Sequence, residues 1–460
     1  MKEFLGKRVA ILGLSTEGQD SVKFFSREGA EILCCDRRTR EELDEIYPLL
    51  ARYPVRFQLG PGYLNDLFDY DLLVRTPGMS LRLPELAALA KQGKAITSLT
   101  KLFFQFCRAP IIGVTGTKGK GTTSTLVAEM LKADGRRVYL GGNVGTPLLS
   151  GVRQIQPDAL VVLELSSFQL EDLKQSPYVA VVLRTTQEHL ANYDKLATNF
   201  HPSREAYLEA KKSIVRYQKS SDYALLSADD SGSSSFAGVT PAQVLHFSLT
   251  AGRGEAYVAK ETVYLCRQGK KEQICRLSEI KLRGLHNLEN IAAASLAASV
   301  FGVKLSAMRQ AALNFPGLPH RIELVSTVRG IAYYDDSFST VPETTIAAVN
   351  SFREPLVLIL GGSEKGSDFR EMGKTLARSS VKAVIVVGQM TERILAALKE
   401  GRFRGKILTG SSSMSEIFKQ TQKLAIPGDV ILLSPACASF DMFKNYKDRG
   451  EQFKYGVAQL

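Results

Sequence analysis

A chain of 460 residues with 44% apolar and 23% charged residues has the composition of a water-soluble globular protein and room for about three domains at roughly 150 residues each, and no apolar run reaches the length of a membrane span. Its formal charge of +12 comes from dispersed Lys and Arg without a basic tail or an aromatic-basic RNA motif, which favours small phosphorylated molecules over nucleic acid or a membrane surface. The six cysteines form no CxxC pair and no zinc-type spacing with the five histidines, so reduced, mostly packed thiols are expected.

Residues 1–9 run directly into a strand instead of a signal-peptide core, and a cytoplasmic location is expected. The segment 7–18 reads as an apolar strand, a glycine turn and a helix beginning near Gln19, a Rossmann-like first unit. Ser15 stands where a dinucleotide fingerprint has its second glycine, so a dinucleotide is not implied. A second strand over 31–36 ends in Asp36, at a distance suited to a sugar hydroxyl. A strand over 71–75, a turn over 76–80 and a helix over 84–93 complete a first domain, 1–108.

The second domain opens on Ile111-Ile-Gly-Val-Thr-Gly-Thr-Lys-Gly-Lys-Gly-Thr-Thr123, an apolar strand leading into a glycine-rich loop and a helix. Its glycines let backbone N–H groups close around phosphate oxygens, Lys120 adds positive charge, and the helix N-terminus adds a favourable dipole. The bland alternative is a tight strand-to-helix turn. Gly121 replaces the hydroxyl residue that normally follows the loop lysine and serves Mg²⁺, so Thr122 or Thr123 must reach the metal. Apolar runs over 137–140, 159–164 and 179–183 suit a parallel sheet covered on both faces.

Glu164 leaves one of these strands at the carboxyl end of the sheet, where α/β sites form; a buried carboxylate there is costly alone and a divalent cation is its natural partner. His189, just past the next strand, falls at the same edge, although a lone histidine is more often a packed or capping residue. The Ser-rich stretch 227–235 reads as a solvated loop, and 255–282 alternates as small antiparallel strands do. Helix returns at Asn287, the central domain ends at 317 within a Pro-Gly linker, and strands over 356–360, 383–387 and 430–433 build a last domain, 318–460.

Taken together, the loop 115–123, Gly141-Gly-Asn-Val-Gly145, Glu164-Leu-Ser-Ser-Phe-Gln169, Glu188-His189, Gly284-Leu-His-Asn-Leu-Glu-Asn290, Gly317-Leu-Pro-His-Arg321 and Asp335-Asp-Ser-Phe-Ser-Thr340 occur in an order that resembles the Mur ligases over nearly the whole chain. The run 433–453, beginning Leu-Ser-Pro-Ala-Cys-Ala-Ser-Phe-Asp, resembles the D-glutamate-adding branch. The resemblance implies an α/β fold of three domains: a Rossmann-like N-terminal domain, a central P-loop ATPase-like domain with a parallel sheet plus a small antiparallel sheet, and a Rossmann-like C-terminal domain. It implies an ATP- and Mg²⁺-dependent ligase that adds D-glutamate to UDP-N-acetylmuramoyl-L-alanine through an acyl phosphate. A monomer that neither binds nucleic acid nor inserts into a membrane is expected.

By the same resemblance, Gly116, Thr117, Lys118, Gly119, Lys120, Gly121, Thr122 and Thr123 hold the ATP phosphates, and Asn287, Asn290, Arg321 and Asp336 contact the rest of the nucleotide. Thr122, Glu164, His189 and Lys211 serve Mg²⁺, with Lys211 matching a lysine that becomes carbamylated and Lys212 leaving the register open by one. Leu14, Ser15, Thr16, Asp36 or Arg37, Asn143, Ser166 and Gln169 take the uridine substrate; Thr340, Lys365, Ser439, Phe440 and Tyr446 take D-glutamate. Four positions depart from the pattern: Gly121, Arg184, Ala191, and Phe338 where some relatives have lysine. Two other functions stay open, a folylpolyglutamate-synthase-like ligase, which should lack the first domain and the C-terminal run, and a catalytically impaired sensor of nucleotide or cell-wall precursor.

Overall fold

Five short strands, β1 (Arg8–Leu12), β2 (Glu31–Asp36), β3 (Val55–Leu59), β4 (Leu72–Arg75) and β5 (Ile96–Ser98), pair in parallel in the order β3-β2-β1-β4-β5. The order reverses between β1 and β4, which opens a crevice at their carboxyl ends. These strands belong to a computed structural model that describes residues 2–186, 199–267, 269–364 and 366–460. The first helix, Thr16–Glu28, starts earlier than the glycine turn suggested, because Ser15 already sits at the N-cap in extended conformation.

The central sheet has nine strands: β6 (Ile111–Thr115), β7 (Val138–Gly142), β8 (Leu160–Glu164), β9 (Val179–Val182), β10 (Tyr223–Ser227), β11 (Gln243–Ser248), β12 (Ala256–Ala259), β13 (Thr262–Arg267) and β14 (Lys270–Arg276). β6 lies between β8 and β9, so chain direction across the sheet switches at the strand that feeds the glycine-rich loop. The small antiparallel strands are a continuation of this sheet, because β12 pairs in parallel with β11 through Phe247 and Ala256 before β13 and β14 turn back. Ala256, Val258, Val263 and Leu265 share one apolar cluster with Val114, Val181 and the buried face of helix His286–Val300, which explains the fusion.

The stretch 227–235 departs from the solvated loop expected of its serines. Ser227 ends β10, Asp230 caps a short helix Ser231–Ser234, and Ser227 and Ser233 are buried. Its polar groups bond inward: the Asp230 carboxylate accepts from the Thr185 amide at 3.0 Å and the Thr185 hydroxyl at 2.7 Å, and the Ser233 hydroxyl donates to the Val182 carbonyl at 2.7 Å. Short hydroxyl side chains satisfy neighbouring backbone as readily as they solvate.

The third sheet follows the order β15-β16-β20-β17-β18-β19, with β15 (Glu323–Val328) antiparallel to β16 (Ile331–Asp335) and the rest parallel: β17 (Leu356–Gly361), β18 (Val381–Val387), β19 (Lys406–Leu408) and β20 (Val430–Leu433). It carries its own apolar clusters on its two faces, whereas the first and central sheets share one. All six cysteines are free thiols, and among the described residues no helix is long and apolar enough to cross a membrane.

A polar seam reinforces the contact between the first two sheets. Arg75 bonds Asp172 at 2.8 Å, the Ser150 amide donates to Asp20 at 3.0 Å, Arg153 grips both oxygens of Glu28, and the Gln169 amide donates to Glu17 at 2.7 Å. Burial pushes the Glu17 carboxyl up to about 7, against the bond from Gln169 and the charge of Arg75. A carboxyl raised on folding holds a proton that the unfolded chain releases near pH 4.5, so its contribution to stability falls as pH rises from there through 7. Glu17→Gln keeps the acceptor for Gln169 and removes this titration. The variant should match the wild type in thermal melting at pH 4.5–5 and exceed it at pH 8 by on the order of 2 kcal/mol; a wild-type-to-variant difference independent of pH would refute the assignment.

Candidate active site

The fully buried strand β6 delivers Thr115 to the loop 116–119, and helix Lys120–Ala133 begins immediately after. Gly116 (φ 147°) and Gly119 (φ 84°) adopt backbone angles that other residues avoid, and a Cβ on Gly119 would lie 2.4 Å from Asn290 Oδ1. The loop is tied on both sides: the Thr117 amide donates to the Arg184 carbonyl at 2.8 Å, and the Thr117 hydroxyl meets the Thr186 carbonyl at 3.0 Å and the Tyr207 hydroxyl at 2.9 Å. Lys120 folds its ammonium onto the loop, donating to the carbonyls of Gly116 at 3.1 Å and Thr117 at 2.8 Å, while Lys118 is exposed.

Of the two threonines that follow, Thr123 turns inward, its hydroxyl bonding Asn290 at 3.3 Å. Asn290 in turn donates to Asn287 at 3.0 Å, and Asn287 donates to the Arg283 carbonyl at 2.7 Å. The two asparagines therefore brace the loop's helix rather than merely cap their own. Thr122 is half-buried. A Cβ on Gly121 would stand 3.1 Å from Glu164 Oε2 and 2.9 Å from Leu318 Cδ1. That position faces the Glu164 carboxylate and is approached from the third sheet's side by Leu318, so a side chain there would have to displace one of the two.

Glu164, the last residue of β8, is buried. Burial pushes its carboxyl above the usual range, and the charges of Lys120, Arg321 and Lys211 pull it back. Lys211 lies inside the helix Arg204–Arg216 at 1% exposure, donating to the Thr115 hydroxyl and the Gly116 carbonyl, both at 3.0 Å. Lys212 instead faces Glu209 at 3.6 Å, so it is Lys211 that reaches the loop. His189 and Ala191 lie outside the described residues, as does Lys365.

At the crevice of the first sheet, Leu14 is buried and Ser15 and Thr16 are exposed at the helix start. Asp36 accepts from the Leu14 amide at 2.8 Å and from Arg38 at both oxygens. Although burial pushes its carboxyl up, these bonds win and hold it below the ordinary range. Arg37 is exposed and Arg38 is the partner of Asp36. Asn143 is exposed beyond β7 with its amide on the Glu164 carbonyl at 3.2 Å. Ser166 and Gln169 form a capping box on the short helix Ser167–Leu170, and Gln169 continues to Glu17.

On the third sheet, Asp336 is buried and committed inward, accepting from the Ser434 hydroxyl at 2.6 Å and the Ile322 amide at 3.2 Å; burial pushes its carboxyl up to about 7. Thr340 and Tyr446 are half-buried, Ser439 is buried, and Phe440 is 74% exposed. The loop bearing Ser439 is held by Arg449, a buried guanidinium that donates to the carbonyls of Cys437 and Ala438 and to the Ser337 carbonyl and hydroxyl.

Three family profiles cover most of the chain: the Mur ligase MurD-like N-terminal domain at 7–98, the Mur ligase middle domain at 114–298, and the Mur ligase glutamate ligase domain at 320–437. The chain belongs to the Mur ligase family. A relative from Symbiobacterium thermophilum is 41% identical over 459 residues, covering 99% of both chains, and one from Acetivibrio thermocellus is 38% identical over 459 residues, covering 98% of this chain and 96% of its own. Both are named UDP-N-acetylmuramoylalanine--D-glutamate ligase. Among solved structures, UDP-N-acetylmuramate-alanine ligase from Thermotoga maritima aligns with a TM-score of 0.63 at 16% identity over 98% of this chain and 99% of its own. A pseudomurein peptide ligase from Methanothermus fervidus aligns with a TM-score of 0.57 at 16% identity over 99% and 100%. Both share this fold.

Within this Mur ligase, sequence reasoning passed over His201 and Tyr207. His201 is buried, its Nε2 is 2.9 Å from the Ser167 hydroxyl, and its ring stacks on Phe168 at 4.8 Å and meets Tyr207 edge-on at 5.6 Å. With the Tyr207 hydroxyl on Thr117, these side chains link the Glu164 motif to the phosphate loop. Tyr207 was legible as the residue one helical turn before Lys211 on the same face; nothing marked His201. The departure at Arg184 is absorbed locally, since its Nε bonds Glu289 at 2.9 and 3.0 Å and its Nη2 lies 3.7 Å from Asp229.

Proposed function

We propose that this Mur ligase, an ATP-dependent amide-bond-forming enzyme, joins D-glutamate to the terminal carboxylate of UDP-N-acetylmuramoyl-L-alanine in peptidoglycan precursor synthesis. One observation carries the chemistry: Lys120 and Lys211 converge on the Gly116 carbonyl of a glycine-rich loop whose helix start faces the buried Glu164 carboxylate, a carboxyl that the charges of Lys120, Arg321 and Lys211 pull down against its burial. Such a cluster suits transfer of a phosphoryl group between anions, where charge crowding is the main obstacle. We take 1–108, 109–317 and 318–460 as the units for uridine substrate, ATP and D-glutamate, because each range holds one sheet.

In this reading the carboxylate attacks the γ-phosphorus of ATP, releasing ADP and forming an acyl phosphate. The D-glutamate amine then attacks the acyl carbon, the amide forms, and phosphate leaves with the electron pair of the broken C–O bond. Lys120 and the loop amides hold the phosphates, and Arg321 approaches from the third domain. The buried Glu164 carboxylate, which accepts no hydrogen bond among the described residues, suits a hard cation. Glu164 would hold Mg²⁺ together with Thr122, His189 and a carbamylated Lys211. When bound there the ion neutralises phosphate charge. Carbamylation would add CO₂ to the Lys211 amine with loss of a proton, and the cations nearby would stabilise the anion formed.

The uridine nucleotide fits the crevice beside Leu14, Ser15 and Thr16, with Asp36, Asn143, Ser166 and Gln169 around it. We assign D-glutamate to Thr340, Ser439, Phe440 and Tyr446, with Lys365 as its cation. Gly121 and Arg184, which motivated the sensor alternative, are each accounted for by packing. Phosphate release from ATP in the presence of UDP-N-acetylmuramoyl-L-alanine is expected with D-glutamate and not with other amino acids, together with a product mass increased by one glutamyl residue. Nucleotide binding without product from any amino acid would overturn the proposal.

A further inference from the structure

Leu282, in the segment that leads into helix His286–Val300, packs in the apolar cluster of the central sheet. Arg283, the next residue, reaches the third sheet instead. Its Nε donates to the Tyr334 hydroxyl at 2.8 Å, and its Nη1 lies 2.9 and 3.1 Å from the two carboxylate oxygens of Glu354. The guanidinium carbon is 4.8 Å from the ring centroid of Tyr334 and 4.6 Å from that of Phe352, and the two rings pack edge-on at 5.0 Å and 78°. Both rings belong to an apolar cluster of the third sheet. Gly284 (φ 90°) permits the approach, since a Cβ there would lie 2.8 Å from Ser351 Oγ.

Arg283 therefore faces two ways. Its carbonyl accepts from the Asn287 side chain at 2.7 Å, Asn287 accepts from Asn290 at 3.0 Å, and Asn290 accepts from Thr123 on the helix of the phosphate loop at 3.3 Å. On the other side, its partner Tyr334 directly precedes Asp335 and Asp336 at the end of β16. One side chain thus connects the two groups of residues expected on either side of the nucleotide, Asn287 with Asn290 and Asp336. A planar guanidinium can stack on rings and grip a carboxylate at once, which an ammonium cannot. Burial pushes the Glu354 carboxyl up, yet its bonds to backbone and to Arg283 win and hold it below the ordinary range. The neighbouring pair of Glu261 with Arg353, at 3.9 Å and largely exposed, adds little.

We propose that Arg283 is a positioning residue that fastens the third domain to the central domain and so sets the spacing between Asn290 and Asp336 across which nucleotide binds. This rests on the ATP-dependent activity proposed above. Glu354, Tyr334 and Phe352 form the socket on the third domain.

The test uses the full chain, read by small-angle scattering without ligand, by calorimetric titration with Mg·ADP and by steady-state amide formation. Arg283→Ala should enlarge the radius of gyration, weaken Mg·ADP binding and raise KM for ATP about three- to tenfold, leaving KM for the uridine substrate unchanged. Arg283→Lys, which keeps the charge and loses the fork, should fall between the alanine variant and wild type. Arg283→Ala combined with Glu354→Gln should be no worse than Arg283→Ala alone. Native scattering and nucleotide affinity in Arg283→Ala, additive losses in the double variant, or an equal loss for the uridine substrate would overturn the proposal. Should the alanine variant lose its fold, Glu354→Gln and Tyr334→Phe remove the same contacts from the third domain's side and give the same reading. If the wild type forms no amide, the ligase reading fails on that arm, while scattering and the Mg·ADP titration still decide the role of Arg283.

Discussion

Lys211→Ala should cost about 10²–10³-fold in amide formation while the protein remains folded. The side chain is almost wholly enclosed, and its nitrogen is the hydrogen-bond partner of the Thr115 hydroxyl and the Gly116 carbonyl at the root of the phosphate loop. Truncation takes a buried donor from both groups, leaving the Gly116 carbonyl with Lys120 and the Thr115 hydroxyl with the Leu165 carbonyl at 2.8 Å, and opens a void beneath the loop; at about 1–3 kcal/mol, thermal melting should fall by several degrees. The fold should survive because β6 stays paired with β8 and β9 along its length. Two origins of the catalytic loss can be told apart. If Lys211 works as a carbamate, acetate or formate should restore part of the activity of the alanine variant, and ¹³C-bicarbonate should label the wild type. If it works as a cation under the loop, small carboxylates should do nothing and Lys211→Arg should retain more activity than Lys211→Ala. Full activity of the unsupplemented alanine variant would remove Lys211 from the site.

The sequence displayed those parts of this molecule whose physics is local. An apolar run ending in glycines becomes β6 and its loop because both the strand and the positive-φ turn are specified by neighbouring residues. The same holds for β17, β18 and β20, which are buried on both faces and carry only one charged residue, Lys382. β3, with Arg56 and Gln58 and no fully buried residue, and the three-residue β5 and β19 carry too little pattern to stand out; each is an edge strand of its sheet. Contacts between distant segments were invisible for another reason. That Leu318 fills the space beside Gly121, that Arg184 finds Glu289, and that Asp336 turns inward to Ser434 are facts of packing across some hundred or more residues. Motif matching named Asp336 and Phe338 as positions; their surroundings show one carboxylate already engaged and one ring under a guanidinium.

Lys120→Ala should lose about 10²–10³-fold in ATP-dependent turnover, comparable to the Lys211 variant, yet differ from it in every other respect. The two ammonium groups converge on one atom: the Gly116 carbonyl accepts from Lys120 at 3.1 Å and from Lys211 at 3.0 Å. Their settings are unequal. Lys120 is the first residue of its helix, half-buried, and reaches the loop carbonyls from the open side, whereas Lys211 comes from beneath. Removing Lys120 leaves Gly116 with its second donor, so the loop keeps its shape and the melting temperature should move by no more than about a degree or two, the scale of an ordinary exposed substitution. Anionic phosphates offer Lys120 a stronger partner than two neutral carbonyls, so nucleotide binding should draw it outward and leave Lys211 in place. Small carboxylates cannot replace that cation and should not rescue the variant. Affinity for Mg·ATP should fall more steeply than affinity for the uridine substrate, measured by calorimetric titration of each ligand. Equal losses for both ligands, or a melting shift as large as that of Lys211→Ala, would mean that Lys120 supports the loop instead of the phosphates.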